Sequence, residues 1–383
     1  MQTNELNSEL LRRLADLRPE GARVLSLFLN LDPSEFATPP ARATEARSLI
    51  DQAERQAREV NGELDHDAKV ALRHDIDRAR DYFERLSADG AHGIALFACE
   101  PAGLFEAIKL PRPIESRAVV DDSPFVEPLA ELAMRGSWCV LLVNRKVARM
   151  LRGSPEQLTE LPPIEDEVHG RHDQGGWSQA RYQRGVDQEV RWHLQHAAEV
   201  AFRRFKRSPF DCILVGGPEE TIGEFEGLLH PYLRERVAGH FKIDVENTTP
   251  DKIRDAAAPV IAEIDERRER EALDRLEGGV ETGGRGVAGL EPTIEALNER
   301  RVGTLLLTER FDAAGVYCRQ CGWVGTDQGL TECPADGSPL ERRGDIAENA
   351  VELAILQSAT VLRVRHHAER LESRGSIGAV LRY

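Results

Sequence analysis

Apolar and polar positions alternate along "RVLSLFLNLD" (Arg23 to Asp32), the period of a half-buried strand. A helical pattern precedes it, up to about Leu17, and the proline-rich "DPSEFATPPA" after it is a loop. From Ala41 to Ser87 charged residues recur with helical spacing, which predicts two helices broken near "NGELDHD". "HGIALFAC" and the segments around Phe105 and Val119 read as strands, and "SPFVEPLAELAM" as a helix.

A new unit begins at about Gly136. "SWCVLLVNRKVARMLRG" predicts a two-stranded hairpin, and a polar loop follows from Ser154 to about Gly185. Val190, Leu194, Ala197, Ala201 and Phe205 then fall on one face of a long helix. "FDCILVGG" reads as a buried strand, "PEETIGEFEGLLHPYLRERV" as a helix and "HFKIDVEN" as a strand. A long helix with Pro250 in its first turn comes next. Strands alternating with helices imply a sheet with helices packed on it.

"GGVETGGRGVAG" (Gly278 to Gly289) is the clearest linker-like stretch. It is not a phosphate-binding loop, because no strand precedes it and no Gly-Lys-Ser/Thr ends it. Beyond it come a helix, the strand "VGTLLLTE", a cysteine cluster, the helix "DIAENAVELAILQSA", the strand "TVLRVR" and the tail "RGSIGAVLRY". The expected fold class is therefore α/β, α+β in its N-terminal part. The segments are 1–135, 136–277 and 278–383, with an insert over 316–340 in the last.

Length and charge narrow the class. At 383 residues the chain is too long for one core. No apolar run approaches the roughly 18 residues that span a bilayer. The amphipathic start "MQTNELNSELLRRL" is unlike a signal peptide, so a cytoplasmic location is expected, with no membrane partner. A net charge of -16 rules out indiscriminate nucleic-acid binding through the overall field, and DNA is not an expected partner. Local basic patches remain. Arg181 to Arg207 holds seven Arg/Lys against three acids, and Val361 to Tyr383 five arginines against two. Either could be no more than a solvated helix face.

Cys99, Cys139 and Cys212 stand alone in apolar runs, as buried free thiols do. The other three cysteines form "YCRQCGWVGTDQGLTECPADG". Cys318 and Cys321 make a C-x-x-C-G knuckle and Cys333 opens a C-P knuckle, the spacing of a zinc ribbon. The fourth ligand position falls on Asp336. Three thiolates and a carboxylate are an unusual donor set, so two readings stand: a structural zinc site, or a degenerate hairpin that keeps its turns without metal.

The remaining motif is "HDQGGWSQARYQR" (His172 to Arg184), a glycine pair whose trailing edge is basic, ahead of a long helix. His172, Gly175, Gly176, Ser178, Arg181, Tyr182 and Arg184 match the glycine-glycine-glutamine loop and helix start of the class-1 peptide chain release factors of archaea and eukaryotes and of Pelota. The end "GSIGAVLRY" looks like the closing segment of that family, and a metal-binding hairpin in the third domain looks like its archaeal members. The sequence resembles this superfamily over Trp138 to Tyr383, most closely its bacterial archaeo-eukaryotic release factor families.

The resemblance implies a three-domain, tRNA-mimicking architecture and a ribosome-associated factor that hydrolyses the peptidyl-tRNA ester in the A site. Its partners would be rRNA and peptidyl-tRNA, and a translational GTPase is left open. Gly175 and Gly176 would let the backbone approach the ester, Gln179 would position water, and N–H groups would stabilise the oxyanion. Trp177, Ser178, Arg181, Arg184 and Arg191 would contact RNA, the arginines through phosphates. Two departures qualify this. Trp177 stands where the family has its glutamine, with Gln179 two residues later, as in a Gly-x-x-Gln variant of the Vms-type peptidyl-tRNA hydrolases. In Met1 to Arg135 the stop-codon motifs have no counterpart, so hydrolysis would be codon-independent. The competing reading is a non-catalytic A-site binder acting in hibernation or stress, with Trp177 stacking on a base.

Overall fold

A computed structural model describes residues 6–62, 64–87, 91–110, 112–134, 137–153, 158–162, 164–165 and 179–383. The chain divides into two compact units, one formed by 1–134 with 269–383 and the other by 135–268.

The first unit opens with α1 (Ser8–Ala15), whose N-cap Asn7 accepts from the Leu10 N–H. Strand β1 (Val24–Asn30) follows, then α2 (Pro39–Val60) and α3 (His66–Glu84), capped by Thr38 and Asp65. Next come β2 (Gly93–Cys99), β3 (Leu104–Leu110), β4 (Arg117–Asp121) and α4 (Glu127–Met134). The four strands form a wholly antiparallel sheet in the order β3-β2-β1-β4. One face buries Leu25, Leu27 and Leu29 against α2 and α3. The other buries Phe28, Phe97 and Phe125, whose rings meet edge to face with centroids 5.8–5.9 Å apart. Strand β1 is thus buried on both faces rather than half-buried, and its only polar residues are Ser26 and Asn30.

The second unit contains β5 (Trp138–Val143), β6 (Val147–Gly153), β7 (Leu158–Glu160), β8 (Ile164–Glu165) and α5 (Gln179–Arg207). It continues with β9 (Cys212–Gly216), α6 (Glu219–Leu228), α7 (Pro231–Arg234) and β10 (Val237–Phe241). The sheet runs β10-β9-β5-β6-β7, with β8 paired to β6. The β5-β9 and β9-β10 pairs are parallel and the β6 pairs antiparallel. Two expectations shift here. The single helix over 218–237 is split at His230, because Pro231 cannot continue it and instead opens α7. The strand expected over 240–247 lies earlier, at 237–241, where it pairs with β9.

Helix α8 (Pro250–Glu281) passes the sequence boundary between the units. Strand β11 (Gly286–Ala288), α9 (Leu290–Asn298), β12 (Val302–Thr308), β13 (Gly315–Tyr317), β14 (Val324–Gly325) and β15 (Glu341–Arg343) come after it. They are followed by α10 (Ala347–Leu356), β16 (Thr360–Val364), α11 (Ala368–Glu372) and β17 (Ile377–Leu381). The main sheet is mixed, β11-β17-β12-β16, and the insert is a small sheet, β14-β13-β15. The linker-like stretch 278–289 proves ordered. It ends α8, turns at Gly283 and becomes β11. A Cβ on Gly286 would lie 2.5 Å from the Leu276 carbonyl, and one on Gly279 2.6 Å from the Gly286 nitrogen. These glycines allow a helix end and a strand to touch.

The expected first and third segments share one apolar core. Leu11, Leu14, Phe28 and Leu129 cluster with Leu305, Ile346, Ala350 and Ile355. Strand β17, the glycine-punctuated tail of the sequence reading, lies inside the mixed sheet between β11 and β12.

Candidate functional site

The glycine motif leads into α5. His172, Gly175, Gly176, Trp177 and Ser178 lie outside the described residues. Gln179, Arg181 and Arg184 are described in their backbone only. All three belong to the helix, which begins at Gln179 rather than after Gly185. Four N–H groups at a helix start lack intrahelical acceptors and make that end favourable for negative charge. Val190, Leu194, Ala197 and Ala201 are buried against the sheet and α6, as their spacing predicted, and Phe205 packs beside them half-buried. Arg191 is exposed and makes no hydrogen bond or ion pair among the described residues.

Three other arginines of this unit, Arg145, Arg149 and Arg204, are held by protein groups. Arg145 pairs with Asp187 at 2.8 Å, and Arg204 donates to the Pro162 carbonyl at 2.8 Å. Arg149 grips both oxygens of Glu160, at 2.6 and 2.8 Å, which draws the Glu160 carboxyl below its ordinary pKa. Arg204, Lys206 and Arg207 sit in the last turn of α5, where cations suit the negative end of the helix.

The cysteine hairpin brings its four predicted residues together. The ligand atoms of Cys318, Cys321, Cys333 and Asp336 all lie within 4.8 Å of one another. Two turns of the same design present them. In the first, the Cys318 N–H donates to the Trp323 carbonyl (2.8 Å) and the Gly322 N–H to the Cys318 carbonyl (2.9 Å). In the second, the Cys333 N–H donates to the Ser338 carbonyl (2.8 Å) and the Gly337 N–H to the Cys333 carbonyl (2.9 Å). Gly322 and Gly337 have φ of 77° and 75°, a conformation that glycine adopts without a Cβ penalty.

The spacing of the ligand atoms fits a tetrahedral ion. A Zn–S bond of about 2.3 Å gives a tetrahedral S–S edge of about 3.8 Å, and a Zn–O bond of about 2.0 Å gives an S–O edge of about 3.5 Å. Cys321 Sγ lies 3.6 Å from Cys333 Sγ, and Cys318 Sγ 3.6 Å from Asp336 Oδ2. The Ser338 N–H donates to Asp336 Oδ1 at 2.9 Å and holds that carboxyl down to about 2, so the carboxylate is ionised when a cation arrives. The cluster can hold a metal ion.

Sequence reasoning missed how this hairpin is fastened. Arg319, inside the first knuckle, pairs with Asp122 at 2.6 Å and with Glu341. Arg343 on β15 binds both oxygens of Asp121, at 2.6 and 3.2 Å. Asp121 ends β4 and Asp122 follows it, some 200 residues earlier in the chain, and no local pattern announces such a pair. Next to them burial raises Glu352 to about 7 although Arg18 pairs with it, and raises Glu348 to about 8 with help from Asp121 and Glu352.

Comparison with known proteins agrees with the sequence pattern. Residues 124–276 match the model of bacterial archaeo-eukaryotic release factor family 10. A peptide chain release factor subunit 1 from Thermococcus onnurineus is 28% identical, covering 89% of this chain and 94% of its own length. The protein of that name from Thermococcus kodakarensis is 27% identical with the same coverage. Among solved structures, the archaeal translation termination factor aRF1 is matched over 99% of both chains at 18% identity and a TM-score of 0.27. No helix among the described residues is long and apolar enough to cross a membrane. The chain is thus similar along most of its length to archaeal release factor subunits, and its central segment matches a bacterial archaeo-eukaryotic release factor family.

Proposed function

We propose that this protein is a ribosome-associated release factor that hydrolyses the peptidyl-tRNA ester in the A site without reading a stop codon. The observation that carries the reading is the family match over residues 124–276, which brackets the glycine motif and the whole of α5. The ribosome, through rRNA and peptidyl-tRNA, is the partner this implies, and a translational GTPase is the candidate for delivery. Gly175 and Gly176 bring the backbone to the ester and Gln179 positions the water as a neutral amide. Trp177, Ser178, Arg181, Arg184 and Arg191 contact RNA. In the third segment Cys318, Cys321, Cys333 and Asp336 hold a structural zinc that cross-links the hairpin.

The non-catalytic reading, an A-site occupant in hibernation or stress, draws on two features. Trp177 replaces the glutamine of the family, and Gln179 falls inside α5. Release from stalled ribosome complexes carrying labelled peptidyl-tRNA separates the two. Wild type should release peptide whatever the A-site codon. Gln179→Ala should slow release roughly ten- to a thousandfold, as loss of a positioned dipole does, with ribosome binding intact. Tight binding without release, identical in Gln179→Ala, overturns the hydrolase reading in favour of the non-catalytic one.

A further inference from the structure

Opposite the buried strip of α5 runs an exposed one. Trp192, His196, Glu199, Arg203 and Arg207 follow at steps of four, three, four and four residues, so they share one face of the helix. Trp192 is 61% exposed, and among the described residues its ring meets only that of His196, nearly parallel at 29° with centroids 5.7 Å apart. Arg203 and Arg207 are exposed and bind no protein group among the described residues. Lys206 flanks them, its ammonium 4.5 Å from the Phe202 ring centroid. The strip carries one carboxylate, Glu199, against this group of cations.

A single exposed apolar residue is ordinary on a protein surface, but Trp192 gains little from the fold and is aligned with a ring and two cations on the same helix face, the residue types that carry contacts where they meet a partner. The surroundings decide between a protein and a nucleic acid. The core of a protein interface needs a contiguous apolar patch. Among the described residues the other exposed large apolar side chains are Val70, Tyr232 and Tyr383, none of them on α5. What borders Trp192 is a flat imidazole and, further along, guanidinium groups without a partner among the described residues, on a protein of net charge -16. Aromatic faces in line with phosphate-binding cations are the elements of single-stranded RNA recognition.

We propose that this strip of α5 binds single-stranded RNA. Trp192, backed by His196, stacks on an unpaired base, and Arg203 and Arg207 meet the phosphates of the same strand. The inference rests on the ribosomal reading only for which RNA is bound, and extends the contact surface well beyond the glycine motif.

The test measures binding to a short mixed-sequence oligoribonucleotide, single-stranded or annealed to its complement, and in parallel to 70S ribosomes. Wild type should prefer the single strand. Trp192→Ala should weaken that binding roughly five- to a hundredfold while Trp192→Phe keeps most of it. Arg203→Ala with Arg207→Ala should make the dependence on salt shallower by roughly two phosphate contacts. Equal affinity of wild type and Trp192→Ala for the single strand overturns the proposal. So does a Trp192 effect confined to ribosomes, which would assign the strip to a ribosomal protein. If wild type binds the oligonucleotide through Trp192 but does not bind ribosomes, the strip stands and the ribosomal reading fails.

Discussion

The arginines of the cysteine hairpin and those of α5 contrast sharply. Arg319 and Arg343 each reach a carboxylate at the end of β4, and Arg18 reaches Glu352. Arg191, Arg203 and Arg207 on α5 reach no protein group among the described residues. The same side chain serves two purposes. In the first unit it closes contacts between segments far apart in sequence, where both partners lose water and geometry must be good. On α5 it stays hydrated and available, and removing it should cost binding rather than stability. In an acidic chain, where carboxylates are plentiful, arginines left unpaired on one helix face mark a surface directed outward.

The largest expected effect is at the hairpin metal site. Replacing Cys318 and Cys321 by Ser removes two of four ligands. In small zinc domains metal binding supplies about 10 kcal/mol or more of apparent folding free energy. Wild-type protein purified without chelator should contain close to one zinc per chain, and the double variant none. The hairpin amides of the variant should lose hydrogen-exchange protection. A wild type without zinc would establish the degenerate hairpin instead.

Next in size is the anchoring pair. Arg343→Ala takes two hydrogen bonds from the half-buried Asp121, which keeps the one from the Asp122 N–H, and hydrogen bonds to charged groups contribute about 1.5–3 kcal/mol each. Denaturant unfolding of the full chain should register a loss of that order. A change below about 0.5 kcal/mol would mean that the pair is decorative, as many surface ion pairs are.

How much of this was legible in the sequence follows from the range of each interaction. Strands β1, β2, β5 and β9 and the buried strip of α5 were read from periodicity, because burial imposes period two or 3.6 directly on neighbouring residues. The four metal-site residues were legible because a knuckle is a local turn with fixed spacing. The stretch 278–289 was misread as a linker, because mutual contact between Gly279 and Gly286 leaves the same signature as flexibility. The clamp of Arg343 on Asp121 was invisible, since 222 positions separate the partners. Trp192 had a signal that went unused: at steps of four, three, four and four from it, every position is polar or charged.

A smaller, pH-dependent effect belongs to the same buried network. Burial, the largest cause, holds Glu352 at about 7 against an ordinary 4.5, with Arg18 opposing. A folded carboxyl with a raised pKa keeps its proton where the unfolded chain has lost it. The folded state then binds more protons between pH 4.5 and about 7, and stability falls as pH rises through that window. Glu348, raised to about 8, extends the decline. Melting temperatures of the full chain should drop across this range, and Glu352→Gln should flatten the slope. An unchanged slope in the variant would show that Glu352 titrates normally in the folded protein.

The smallest expected effect is the most discriminating. Arg203→Ala and Arg207→Ala remove two cations that bind no protein group among the described residues, so unfolding free energy should stay within about 0.5 kcal/mol of wild type for Arg203→Ala, the usual range for surface positions away from special features, and within about 1 kcal/mol for Arg207→Ala. Arg207 lies in the last turn of α5, where its charge favours the helix end by roughly 0.3–1 kcal/mol at low salt. Any loss should therefore come from Arg207 rather than Arg203, and should shrink as salt screens it. If Arg203→Ala alone destabilised the chain as much as Arg343→Ala does, its guanidinium would have a partner within the protein, and the division between closing arginines and outward-facing ones would collapse.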